Sequence, residues 1–245
     1  MQTLPDVTSL ALQETTKPGK IVIANWKSNT PDVSAWSSFP SFPGTEVVIC
    51  PPPSLLTAVS KGIPNIILGA QDTGEFGDLG VKYVIVGHSD RRKAGESDEI
   101  VAQKAEMALK SGLKVVLCVG EPKEVRVMGL ESAKSFIERQ LKEDLKTVPT
   151  DLFPNLLVAY EPIWAISTSP GAEADTPDNA LEMIKFMRMV LPNLSSARFI
   201  YGGSVTSENV QGFLSQKEIE GALVGSASLK VEEFKKIIST ADDSK

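Results

Sequence analysis

Eight short apolar runs punctuate the chain: Ile21-Val22-Ile23-Ala24, Glu46-Val47-Val48-Ile49, Asn65-Ile66-Ile67-Leu68, Lys82 to Val86, Lys114 to Val119, Leu156 to Tyr160, Arg198 to Tyr201 and Gly221 to Val224. They are continuous rather than alternating, the pattern of parallel strands covered on both faces. Most segments between them carry helical spacing. Val101, Ala105, Ala108 and Leu109 share one face and stop at Gly112. Thr176-Pro177 supplies an N-cap and a first-turn proline, with Leu181, Ile184, Phe186 and Val190 as the expected core-facing stripe. Strand followed by helix, repeated around the chain, predicts an α/β fold: a (β/α)8 barrel forming one domain over residues 20–241.

Two connections are expected to be short. Ser28 to Thr45 contains Pro31, Pro40 and Pro43, leaving room for one short helix around Val33 to Ser38. Gln71 to Val81 holds three glycines, which argues against a full crossover helix after the third strand. Residues 1–19 show no clear pattern and are expected to form a mobile extension or a strap over this thinner side.

With 245 residues, 42% of them apolar and 23% charged, the chain suffices for one large core. Its net charge of −6 argues against nonspecific nucleic-acid binding, which depends on Lys and Arg neutralising phosphates. A small anion remains compatible, because its capture depends on local groups. No stretch has the length and apolarity of a membrane span, and the N-terminus lacks the pattern of a signal peptide, so a cytosolic protein is expected. Two cysteines, Cys50 and Cys118, cannot build a disulfide framework or a multi-ligand metal site and are read as buried thiols.

The candidate chemistry lies where strands give way to loops. Glu161 follows the run ending at Tyr160, His88 follows the run ending at Val86-Gly87, and Lys27 follows the first run within Asn25-Trp26-Lys27. Alone, each has a plain reading: a solvated strand end, a hydrogen-bonded structural histidine, a surface lysine. In a closed parallel barrel all C-terminal strand ends open on one rim, so the three can face one substrate. Glu161, beside Pro162 and Trp164, then suits a general base, and Lys27 suits stabilisation of charge on a carbonyl oxygen. The polar residues after His88 can open a helical turn, whose N-terminus favours the neutral imidazole. Glycine-bearing turns at Tyr201-Gly202-Gly203-Ser204 and Gly225-Ser226 mark the rim where barrels seat phosphate.

Together these blocks resemble the triosephosphate isomerase family. The matching pieces are Asn25-Trp26-Lys27, Gly87 to Arg92 running on to Gly95-Glu96-Ser97-Asp98-Glu99, Cys118 to Glu121, Ala159 to Ile166, Tyr201 to Val205 and Gly221 to Leu229. The resemblance implies a TIM barrel interconverting dihydroxyacetone phosphate and D-glyceraldehyde 3-phosphate without metal or organic cofactor. It implies Glu161 as base, neutral His88 as proton shuttle between the enediolate oxygens, and Lys27, held near Asn25, as the balancing cation. By the same carry-over Asp90 supports the lysine and histidine, and Ser167, Ser204, Gly225 and Ser226 hold the substrate phosphate.

Four departures from the family pattern stand out. Asp90 replaces a glutamate, one methylene longer, which is expected to lower the rate. The closing-loop tip reads Ser167-Thr168-Ser169-Pro170 in place of glycine-threonine-glycine-lysine, and Ser226 replaces a glycine. The loop after the third strand has lost the segment that reaches a partner subunit, although Thr73-Gly74-Glu75 echoes part of it; the usual homodimer is therefore expected to be weakened, absent or differently assembled. The departures leave room for a second reading, a catalytically weakened phosphosugar-binding or regulatory protein, and for a third, another phosphosugar enzyme on the same barrel. Retention of Lys27, His88 and Glu161 favours the isomerase.

Overall fold

The computed structural model describes residues 19–74, 76–167, 169 and 171–244. The expected N-terminal extension, Gly19 apart, lies outside the described residues, as do Glu75 of the echoed partner segment and Thr168 and Pro170 of the altered loop tip.

Strands β1 (Lys20–Asn25), β2 (Thr45–Cys50), β3 (Ile67–Ala70), β4 (Tyr83–Val86), β5 (Lys114–Val119), β6 (Leu156–Tyr160), β7 (Arg198–Tyr201) and β8 (Gly221–Val224) pair in chain order. All pairs are parallel, and β8 returns to β1 to close the barrel. Alternation explains the unbroken apolar runs. Ile21, Ile23, Val48, Ile85, Val116, Leu157, Ile200 and Leu223 belong to one buried cluster filling the barrel, whereas Val22, Ala24, Val84, Val158 and Val224 join a second beneath the helices. Cys50 and Cys118 are free and lie in the inner cluster, where burial pushes both thiols above their ordinary range.

The outer layer comprises α1 (Leu56–Gly62), α2 (Ser89–Lys93), α3 (Asp98–Lys110), α4 (Lys123–Arg126), α5 (Leu130–Asp144), α6 (Pro177–Met187), α7 (Val210–Leu214) and α8 (Val231–Asp243). As expected, the first and third connections are short: single 3₁₀ segments at Val33–Trp36 and Gly77–Leu79 replace full helices. Aromatic side chains fill the space beside the first. Trp36 lies 5.3 Å from both Trp26 and Phe39, and 5.9 Å from Phe234 of α8, between ring centroids.

Two expectations require correction. β3 begins at Ile67, because Asn65 adopts φ 61° and turns its amide to Phe39 O; pairing with β2 starts at Val48–Ile67. The buried stripe of α6 is Ala180, Met183, Ile184 and Met187, while Leu181 and Phe186 are half-buried and Val190 lies past the helix end. Spacing of three and four residues selects that stripe, and the expected set followed side-chain size over phase.

Candidate active site

Asn25 ends β1 and Lys27 follows with φ 51°, a left-handed backbone that costs a non-glycine residue on the order of 1–3 kcal/mol. Three hydrogen bonds hold it there. Lys27 N donates to Asn25 Oδ1 (3.1 Å), and the Gln71 amide donates to Lys27 O (2.8 Å) and Cys50 O (3.0 Å). The ammonium then lies 3.0 Å from Asp90 Oδ2. Between Asn25 and Lys27, buried Trp26 donates from Nε1 to Ser228 O (3.1 Å), fastening the β1 exit to the turn after β8.

Gly87, at φ 71°, turns the chain out of β4, and a side chain there would collide with Arg92. His88 is the N-cap of α2. Its Nδ1 accepts the Asp90 N–H (3.1 Å), and its Nε2 lies 2.8 Å from Glu161 Oε1. The neutral tautomer carrying its proton on Nε2 satisfies both contacts. Asp90 sits below the usual carboxylate range: burial raises it, but the Lys27 hydrogen bond and the charges of Lys27 and Lys93 outweigh that.

Glu161 follows β6 and is 3% exposed. Besides His88, its carboxylate accepts from Ser89 N (3.1 Å) and Ser89 Oγ (3.2 Å). Its backbone is fixed against the neighbouring β5 end: Glu161 N donates to Val119 O (2.8 Å), and its carbonyl packs so closely on Gly120 that no Cβ fits there. Just beyond, fully buried Glu121 accepts from Trp164 Nε1 (2.8 Å) and Tyr160 Oη (3.1 Å), anchoring the start of the following loop. At the far end of that loop, Asp175 is pushed up to about 6, chiefly by burial, against the hydrogen bonds it accepts from Asn179 and Thr176 N.

A cavity of about 220 Å³ brings the expected residues together. Asn25, Lys27, His88 and Glu161 are among its lining residues, and so are Ser167, Ser204, Gly225 and Ser226. Asp90 stands outside it, behind Lys27. Ser167 and Ser226 are absent from the positive-φ residues, which among the described non-glycines are Lys27, Asn65 and Asn193; neither serine occupies a glycine-only conformation. Ser204 is already engaged, donating from N (3.2 Å) and Oγ (2.7 Å) to Ala165 O.

Three supporting residues escaped the sequence reading. Gln71 clamps the Lys27 carbonyl, Ser89 holds Glu161, and Arg92 braces the histidine turn by donating from Nε to Gly87 O (2.7 Å). Ser89 and Arg92 stand in the His88 block, so the block itself was their signal; Gln71 had none. Among the described residues no group of three or more His, Cys, Asp or Glu side chains is arranged to hold a metal ion.

The family model for triosephosphate isomerase matches residues 20–241. The triosephosphate isomerase of Carboxydothermus hydrogenoformans is 39% identical over 247 aligned positions, which cover 89% of this chain and 96% of that protein. With the closed eight-stranded barrel and the converging rim residues, these matches establish that the chain belongs to the triosephosphate isomerase family.

Proposed function

We propose that the protein interconverts dihydroxyacetone phosphate and D-glyceraldehyde 3-phosphate, as a cytosolic enzyme of glycolysis and gluconeogenesis. Glu161 takes a proton from the carbon beside the carbonyl, giving an enediolate. His88, whose Nε2 proton meets Glu161 Oε1 in this structure, turns that donor to the substrate and moves protons between the two enediolate oxygens. Lys27, oriented by Asp90 and by the Asn25 hydrogen bond, offsets the negative charge. Asn25 and Lys27 also contact substrate, and Ser167, Ser204, Gly225 and Ser226 bind its phosphate. For Ser204 this requires release of the Ala165 carbonyl. No cofactor enters the scheme.

The observation that carries the proposal is the convergence of Lys27, His88 and Glu161 on one small cavity that continues to the two glycine-bearing turns. A coupled assay of glyceraldehyde 3-phosphate isomerisation tests it. Glu161→Asp and His88→Gln should each lower kcat by on the order of 10²–10⁴. Absence of wild-type activity, or no loss in either variant, would favour the binding or regulatory reading.

We further propose that the family homodimer is weakened, absent or rearranged, because only a short segment separates β3 from β4. Among the described residues, no helix is long and apolar enough to cross a membrane. Sedimentation at micromolar concentration revealing a tight dimer joined through residues 71–80 would overturn the assembly proposal.

A further inference from the structure

Residues 171–175, between the altered loop tip and α6, tie themselves back to the start of their own connection. Glu173 N donates to Trp164 O (3.0 Å), and Lys123 of α4 clasps the same segment, donating to Gly171 O (3.1 Å) and pairing with Glu173 (2.7 Å). Asp175 ends the segment, just before the α6 N-cap at Thr176. Its Oδ1 accepts from Thr176 N (2.8 Å) and from the Asn179 amide (2.6 Å), while the Asn179 carbonyl oxygen accepts from Arg126 Nη2. The Arg126 guanidinium in turn lies 5.0 Å from the Trp164 ring centroid. A chain of contacts therefore runs from Asp175 through Asn179 and Arg126 to Trp164. Just beyond Trp164, Ile166 and Ser167 line the catalytic cavity.

This corner holds more acid than base. Glu121 and Asp175 face one cation, Arg126, whose Nη1 lies 3.7 Å from Glu121 Oε1. Glu121 Oε2, Arg126 Nη1 and Asp175 Oδ2 are all buried without a hydrogen-bond partner among the described residues. Two tyrosines complete the surroundings: Tyr160 of β6, which donates to Glu121 (3.1 Å), and Tyr201 of β7, beside Asp175. Burial and the two carboxylates push both hydroxyls up. With Glu121 and Asp175 both ionised, the corner carries one uncompensated negative charge, whereas a proton on Asp175 leaves one anion for one cation. The two hydrogen bonds to Asp175 Oδ1 survive that protonation, because the proton takes Oδ2.

We propose that Asp175 is a positioning residue for the isomerisation: in its neutral form it holds the Asn179–Arg126–Trp164 chain in place, and through it the Ile166–Ser167 wall against which the substrate phosphate sits. The inference rests on the isomerase reading and adds to it a residue outside the cavity. The Asp175 carboxyl is pushed from 3.8 up to about 6, chiefly by burial. An arrangement that buries Asp175 therefore binds a proton more tightly than one that exposes it, and is favoured at low pH. That preference, on the order of 100-fold in the seating equilibrium, is lost as pH rises from about 4 to about 6, and about tenfold of it remains to be lost above pH 5.

The test measures kcat and KM for glyceraldehyde 3-phosphate between roughly pH 5 and 8 in the full-length wild type, Asp175→Asn and Asp175→Ala. Dividing wild-type values by those of Asp175→Asn cancels the ionisation of the substrate phosphate and of the catalytic groups, which both proteins share. The asparagine keeps the Oδ1 acceptor and stays neutral. Wild type should therefore match it near pH 5 and fall behind by up to about tenfold in kcat/KM by about pH 7.5, the difference lying in KM. Asp175→Ala removes the acceptor for Thr176 N and Asn179 and should raise KM about tenfold across the range, a loss that Asp175→Asn does not share. Circular dichroism verifies folding, and if Asp175→Ala does not fold, the pH dependence of the wild-type to Asp175→Asn ratio still decides. A ratio that stays flat across the range, or a folded Asp175→Ala with wild-type KM, would overturn this inference and leave the isomerase reading standing. A wild type without isomerase activity would remove that reading and the inference with it.

Discussion

Asp144 is a buried acid with a measurable consequence. It ends α5 with no exposed surface, its Oδ2 lies 2.5 Å from Arg92 Nη2, and its Oδ1 has no partner among the described residues. Burial, opposed by Arg92, pushes its carboxyl from 3.8 up to about 7. An acid whose folded pKa lies above its unfolded value binds more protons when folded. Its contribution to stability is therefore greatest at low pH and falls as pH rises through the interval from about 4 to about 7. At 1.36 kcal/mol per unit, a shift of roughly three units corresponds to about 4 kcal/mol.

Comparison with Asp144→Asn isolates this group from the other carboxylates. Arg92 keeps Asp98 (2.7 Å) and the Gly87 carbonyl (2.7 Å) in the variant, so the histidine turn remains braced. Relative to the variant, the wild type should lose about 2 kcal/mol between roughly pH 5 and 7, most steeply in the lower half of that range. Urea unfolding midpoints and slopes, measured for both proteins every half unit and checked for reversibility, read the difference. Parallel stability curves across that range would show that the Arg92 charge balances burial, and the reasoning would fail.

Three further outcomes follow from the geometry. Gly120→Ala places a Cβ 1.8 Å from the Glu161 carbonyl oxygen, so it should destabilise by about 3 kcal/mol or more and lower kcat, read by urea unfolding alongside the isomerase assay. Asp90→Asn removes the charged partner 3.0 Å from Lys27 and should lower kcat/KM on the order of tenfold; Asp90→Glu should match or exceed wild type in the same assay. Glu121→Leu strips the acceptor from buried Trp164 and Tyr160 and should cost about 1–3 kcal/mol per unmade hydrogen bond, with a lower melting temperature and a raised KM.

The barrel was legible because its signal is local and repeated: each strand is an apolar run of similar length, and Gly112 and Thr176-Pro177 mark helix ends by backbone preference. Lys27, His88 and Glu161 were legible for a topological reason, since strand ends in a parallel barrel share a rim. What escaped depends on partners distant in sequence. Gln71 clamps Lys27 across 44 positions, and Asp144 reaches Arg92 across 52. Neither residue carries a local pattern that announces its partner. The start of β3 was missed for a related reason: Asn65 looks strand-like beside isoleucines, but its left-handed φ and its bond to Phe39 O come from the folded turn.

The departures from the family pattern fall in connections, and the strands explain why the site tolerates them. Asp90 is a methylene short, yet the left-handed turn at Lys27 brings the ammonium to its carboxylate, so the pair forms without the longer side chain. Ser226 occupies the turn after β8 on a backbone open to any residue, and that turn is fastened to β1 by the Trp26–Ser228 hydrogen bond. The short loop after β3 has a different consequence. Its retention by Arg91 and Lys104 leaves the cavity beside His88 bounded by side chains of α2 and α3, a boundary compatible with an intact catalytic rim. Shortening this loop therefore shapes the space beside His88 and leaves Lys27, His88 and Glu161 converging on one cavity.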